Sequence, residues 1–196
     1  MTKRWNVKWL CLAMVLLLIN SCKSDTTKYD DLASRELATG IRKDSLFMGI
    51  RLGMTKKDFY IHCWDLNKKG IFTDGAGSMT VLYKMKSELK HPATMNFFPD
   101  FQENKIFKMR VTFRYDAFAP WNKNMMADSL RTDVLNLYKK WYGGNDFITV
   151  ADSVKGTIFV KVDGNRRIVV GKHDEAQVKV VYTDLIEEKK LLKKHE

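Results

Sequence analysis

Apolar positions along the chain fall into two textures, one with the period of a helix and one with a period of two. Phe59, Cys63 and Leu66 recur at i, i+4 and i+7, with Tyr60 and Trp64 beside them. That is the stripe of a helix burying one side. Thr55, with Asp58 three residues on, supplies its start signal and Gly70 its stop. Two-residue alternation follows in Val81, Tyr83 and Met85 and again in Met95 and Phe97. The longest alternating run sets Phe107, Met109, Val111, Phe113 and Tyr115 against Lys108, Arg110, Thr112 and Arg114. The polar stretch 100–105 before it predicts a hairpin loop. The order then repeats. Met126, Leu130, Val134, Leu137 and Trp141 predict the buried stripe of a second helix, ended by Gly143 and Gly144. Ile158, Val160 and Val162 predict a strand, and the Asp163-Gly164-Asn165 turn leads into another at Ile168 and Val170. Val178, Val180 and Tyr182 predict a third.

This pattern predicts an α+β fold of two tandem units, residues 47–116 and 117–184, each a helix followed by three or four antiparallel strands. Units of about 70 residues are marginal alone, so they are expected to share one sheet with both helices packed on the same face. Residues 22–46 read as a polar tether, with five acids against five bases through Asp44. Residues 185–196 read as a charged tail, either a helix or an extra strand.

The N-terminus carries an address. Lys3, Arg4 and Lys8 precede an apolar run from Trp9 to Ile19, and eleven residues suit a signal segment but not the roughly 20 of a membrane span. Ile19-Asn20-Ser21-Cys22 resembles a bacterial lipobox, although Asn20 stands where a small residue is usual. The resemblance implies a signal peptide over 1–21, acylation at Cys22 and lipid anchorage in a bacterial outer membrane. Cys11 would leave with the signal, so Cys63 would be the one free thiol and no internal disulfide can form.

The stretch Gly53-Met54-Thr55-Lys56-Lys57-Asp58-Phe59 resembles the glycine-methionine-hydroxyl start of the first helix in SmpA-like outer-membrane assembly lipoproteins. The tandem helix-plus-sheet order over 47–184 is similar to beta-lactamase-inhibitory-protein-like domains. The second unit departs from the motif, with Pro120-Trp121-Asn122 at its entry. The resemblance implies an envelope protein that binds macromolecules and has no catalytic centre.

Composition adds charge to this picture. Lysine and arginine number 34 against 23 acids, a formal +11. For a tethered envelope protein that excess points to acidic envelope surfaces, or to nothing specific, and not to nucleic acid. Catalytic signatures are missing: there is no G-x-S-x-G and no H-E-x-x-H. The glycine-rich 74–78 follows a helix, where a phosphate cradle must open one. His62-Cys63 has too few companions for zinc, so neither metal nor cofactor is expected. The Asp100 and Glu103 carboxylates read as solvated loop groups.

The outward sheet face remains. Alternation places Lys84, Lys108, Arg110, Arg114, Lys161, Arg167 and Lys179 there, interleaved with Leu82, Phe159, Val169 and Val181. A cationic face with exposed apolar residues suits a protein partner or an anionic envelope polymer, in a scaffold or adaptor role. The alternative is a proteinaceous inhibitor of a secreted enzyme.

Overall fold

The computed structural model describes residues 25–75, 80–152 and 156–194. In chain order it runs helix α1 (Asp25–Ala38), helix α2 (Lys56–Lys68), strands β1 (Phe72–Asp74), β2 (Val81–Met85), β3 (Ala93–Gln102) and β4 (Lys105–Tyr115). Helix α3 (Ala127–Tyr142), strands β5 (Ile148–Asp152), β6 (Gly156–Asp163), β7 (Arg166–Lys172) and β8 (Gln177–Asp184), and helix α4 (Leu185–Lys194) follow. All eight strands join one antiparallel sheet in the order β1-β2-β3-β4-β8-β7-β6-β5, so β4 and β8 meet at its centre. The fold is α+β, as the pattern predicts.

Local chemistry sets the boundaries. The Thr55 hydroxyl accepts from the Asp58 amide at 3.1 Å and starts α2. Gly70, at φ 67°, lets the chain leave it. Between β3 and β4 the turn is only Glu103 and Asn104, both at positive φ, so the strands take up most of the loop expected over 100–105. A bulge between Asp100 and Phe101 shifts the register there. As a result Ile106, not Phe107, joins the buried row with Met109, Val111, Phe113 and Tyr115.

Helices α2 and α3 pack on one face of the sheet. Phe59 and Cys63 from α2 and Leu130, Val134, Leu137 and Tyr138 from α3 meet the inward rows of β3, β4, β7 and β8. Trp141, expected to end the buried stripe, is 38 % exposed. Tyr138 is fully buried in its place, with the Trp141 ring stacked on it at 5.7 Å. At 100° per residue Trp141 still points along the stripe, but it stands in the last turn of α3, one residue before the helix ends at Tyr142.

The opposite face corrects two expectations. The segment read as a tether forms α1, and Leu32 and Ala33 bury against Val160, Val162 and Leu185. Helices therefore cover both faces. Strand β6 is buried on both sides for this reason: Val160 and Val162 face α1, while Phe159 packs into the core under the Arg131 guanidinium of α3, 5.4 Å away. The expected charged tail is α4, with Leu185 buried.

A polar cluster at the β6–β7 turn holds the N-terminal segment down. Glu36 of α1 accepts from the Gly164 amide at 3.0 Å. Asn165 accepts from the Lys43 amide at 2.6 Å and donates to Asp44 at 2.9 Å. Arg166 donates to the Ser45 carbonyl, and Arg42 bridges Asp44 and Asp184. Gly164 is required here, because a Cβ would stand 2.3 Å from the Ile41 carbonyl oxygen.

Candidate functional site

With α1 seated over β5 and β6, the outward side of β2, β3, β4 and β8 carries the exposed cations. Strand register lays its side chains in rows. One row runs Lys84, Thr94, Arg114, Gln177 across the four strands, and the next runs Leu82, Asn96, Thr112, Lys179. Beyond them lie Phe98, Arg110 and Val181, then Asp100, Lys108 and Thr183.

The expected cations do not form one free charged row. Lys84 is held by Asp116 at 3.3 Å and Arg110 by Asp100 at 2.8 Å. Lys108, Arg114 and Lys179 have no carboxylate partner among the described residues; Lys108 lies over the Phe107 ring and Arg114 over Phe118. Arg167 faces the same side but is largely covered, bonded to Tyr29 of α1 at 2.7 Å and to Glu188 of α4 at 2.7 Å. Lys161 is a plain correction. It is 1 % exposed and points to the α3 side, where it pairs with Asp163 at 3.1 Å and donates to the Asn145 carbonyl. Alternation separates two faces of a strand, but β6 has its second face inverted relative to the expectation. Phe159 is turned with Lys161. Cys22, the expected lipidation site, and the signal segment lie outside the described residues, as does most of the glycine-rich 74–78.

Three neutral residues were given no role from the sequence, although alternation sets Thr112 on the outward side. Asn96, Thr112 and Gln177 are half-buried, and among the described residues their side chains bond to nothing in the protein. With Leu82, Lys84, Thr94 and Arg114 they line a basin of about 360 Å³. Their signal was their place between the inward residues Met95 and Phe97, Val111 and Phe113, but nothing in a single strand says that they converge. At the basin's end Asp116 accepts from the Thr94 hydroxyl and from Lys84. Lys179 stands at the border of a second hollow, floored by Val169 and Val181.

Elsewhere, an aromatic groove of about 660 Å³ opens beside α2, lined by Tyr60, Trp64, Phe72 and Phe98. His62 bonds the Met48 carbonyl at 2.7 Å, and the neighbouring Cys63 thiol is buried, with burial pushing it up to about 12. Asp100 and Glu103 are tied up by Arg110 and Lys194. Among the described residues no group of three or more His, Cys, Asp and Glu is placed to hold a metal ion, and no helix is long and apolar enough to cross a membrane.

The site therefore belongs to an α+β body with one polar, cationic sheet face. Comparison with protein-family models, with characterised proteins and with solved structures finds no match to any of them.

Proposed function

We infer that this chain is a non-catalytic, lipid-anchored envelope protein that docks an anionic partner on its open sheet face. The observation that carries the reading is the division among the cations. Lys84, Arg110 and Arg167 are neutralised within the fold, whereas Lys108, Arg114 and Lys179 share one uncovered face without carboxylate partners among the described residues. Unanswered cations on a broad face steer and hold a polyanion through many weak contacts, and such docking is sensitive to salt.

The tandem architecture belongs to the same proposal. A helix followed by four antiparallel strands occurs twice, and the last strands of the two units pair at the centre. The resemblances to SmpA-like proteins and to a lipobox support an outer-membrane setting for such a body. Only two residues separate Cys22 from the first described residue of α1, so the lipid would hold the folded body close to the bilayer surface.

Two measurements test this reading. Cys22→Ser should release the protein from membranes into the soluble fraction with an unchanged circular dichroism spectrum; a variant still membrane-bound after a salt wash removes the anchor. The detergent-solubilised full chain should bind immobilised polyanions at low ionic strength and elute with salt. Retention that is indifferent to salt rules out cation-driven docking.

A further inference from the structure

We propose that the basin on the open sheet face is a subsite for an acidic oligosaccharide, a sugar chain bearing carboxylates. This rests on the reading of that face as an anion-docking surface and names what it recognises. An acidic peptide would need only the cations. The basin offers more: the amides of Asn96 and Gln177 and the hydroxyl of Thr112 each combine donor and acceptor capacity, and none is used inside the protein. Convergent, unused donor–acceptor groups match a ligand with many hydroxyls.

The geometry is consistent across the sheet. Asn96 and Thr112 are directly opposite on β3 and β4, and Arg114 faces Gln177 on β4 and β8. Four strands at about 4.8 Å spacing make a floor about 14 Å wide, and adjacent rows are about 7 Å apart. Leu82 supplies an apolar wall for the C–H face of a sugar ring. The charge is placed to read a carboxylate. Arg114 is exposed, and its guanidinium is steadied over the Phe118 ring 5.3 Å away. A guanidinium fork can take a carboxylate with two parallel hydrogen bonds. Lys179 is the second unpaired cation, in the neighbouring row. The one acid at the basin, Asp116, is answered by Lys84 and Thr94, so it leaves the cations in excess.

The test is calorimetric titration of the detergent-solubilised full chain with three probes: tetragalacturonate, its fully methyl-esterified form, and tetraglutamate. Tetragalacturonate should bind at least about tenfold more tightly than either of the others, since losing the charge or losing the hydroxyl contacts each removes about one hydrogen-bonded interaction or more. Asn96→Ala and Gln177→Ala should each weaken tetragalacturonate about fivefold to tenfold and leave tetraglutamate unchanged. Arg114→Gln should weaken both acidic probes. If the amide variants bind tetragalacturonate like the parent, or if tetraglutamate binds equally well, the saccharide subsite is overturned. In that case an Arg114→Gln loss of tetraglutamate would still leave the anion-docking reading standing. If neither acidic probe binds, both fail. The three substituted residues point to solvent, so unchanged thermal unfolding should accompany every variant.

Discussion

Tyr138 and Trp141 sit one turn apart on α3, stacked ring on ring, yet they belong to different environments. Tyr138 is sealed between the helix and Phe113 and Tyr182, whereas Trp141 keeps one face in water. Tyr138→Ala should therefore destabilise by about 3–5 kcal/mol, as large core truncations do. Trp141→Ala should cost about 1 kcal/mol, the worth of a half-exposed aromatic pair. Lys139→Ala and Lys140→Ala should stay within about 0.5 kcal/mol. Urea denaturation of the four variants checks this, and equal losses at Tyr138 and Trp141 would contradict the assigned helix face. The Cys63 thiol makes a second residue-level prediction. Buried and pushed up to about 12, it stays protonated near neutrality. It should react with a thiol reagent only after unfolding; stoichiometric labelling at Cys63 itself in the native chain would contradict its burial.

At the scale of the element, α1 is where sequence and structure part. Residues 25–38 carry few apolar side chains, and charge balance along 23–44 gave them the look of a spacer. What makes the helix is a site elsewhere: Val160 and Val162, which need cover, and the β6–β7 turn, whose amide and asparagine take Glu36, Lys43 and Asp44. Neither partner is near in sequence, so periodicity could not reveal the docking. The same limit explains Lys161 and Phe159. By contrast the caps at Thr55 and Gly70, the α2 stripe and the β6–β7 turn depend on neighbours a few residues away, and those were legible. Docking makes α1 sensitive to acid. The Gly164 amide holds the Glu36 carboxyl below its ordinary value of 4.5. That contribution is fully present above the unfolded value and is lost as pH falls through the lower folded value. Limited proteolysis within 25–44 should thus be slow at neutral pH and rise on acidification below the ordinary carboxyl value of 4.5. Glu36→Gln should reduce the part of that rise owed to this group. Rapid cleavage at neutral pH would restore the spacer reading.

At the scale of the whole molecule, one sheet divides the protein into a face sealed by α2 and α3 and a face that α1 covers only in part. The cations of the open part sort by their partners: those with carboxylates serve the fold, and those without are free to meet a ligand. Composition alone, at +11, could not make that distinction, because pairing is a property of register across strands. Neutralising a paired cation together with its partner, Arg110→Gln with Asp100→Asn, should accordingly change polyanion binding by no more than about twofold, since that pair adds no net charge to the face. The most direct test compares two charge-reversal triples in the detergent-solubilised full chain, measuring affinity for immobilised polygalacturonate at fixed ionic strength. Reversing Lys108, Arg114 and Lys179 to glutamate should weaken binding by at least about tenfold with unchanged thermal unfolding. Reversing Lys56, Lys57 and Lys139, exposed cations on the helical side, makes the same change in net charge and should leave binding within about twofold. Equal loss in both triples, or loss in neither, would contradict docking on the open sheet face.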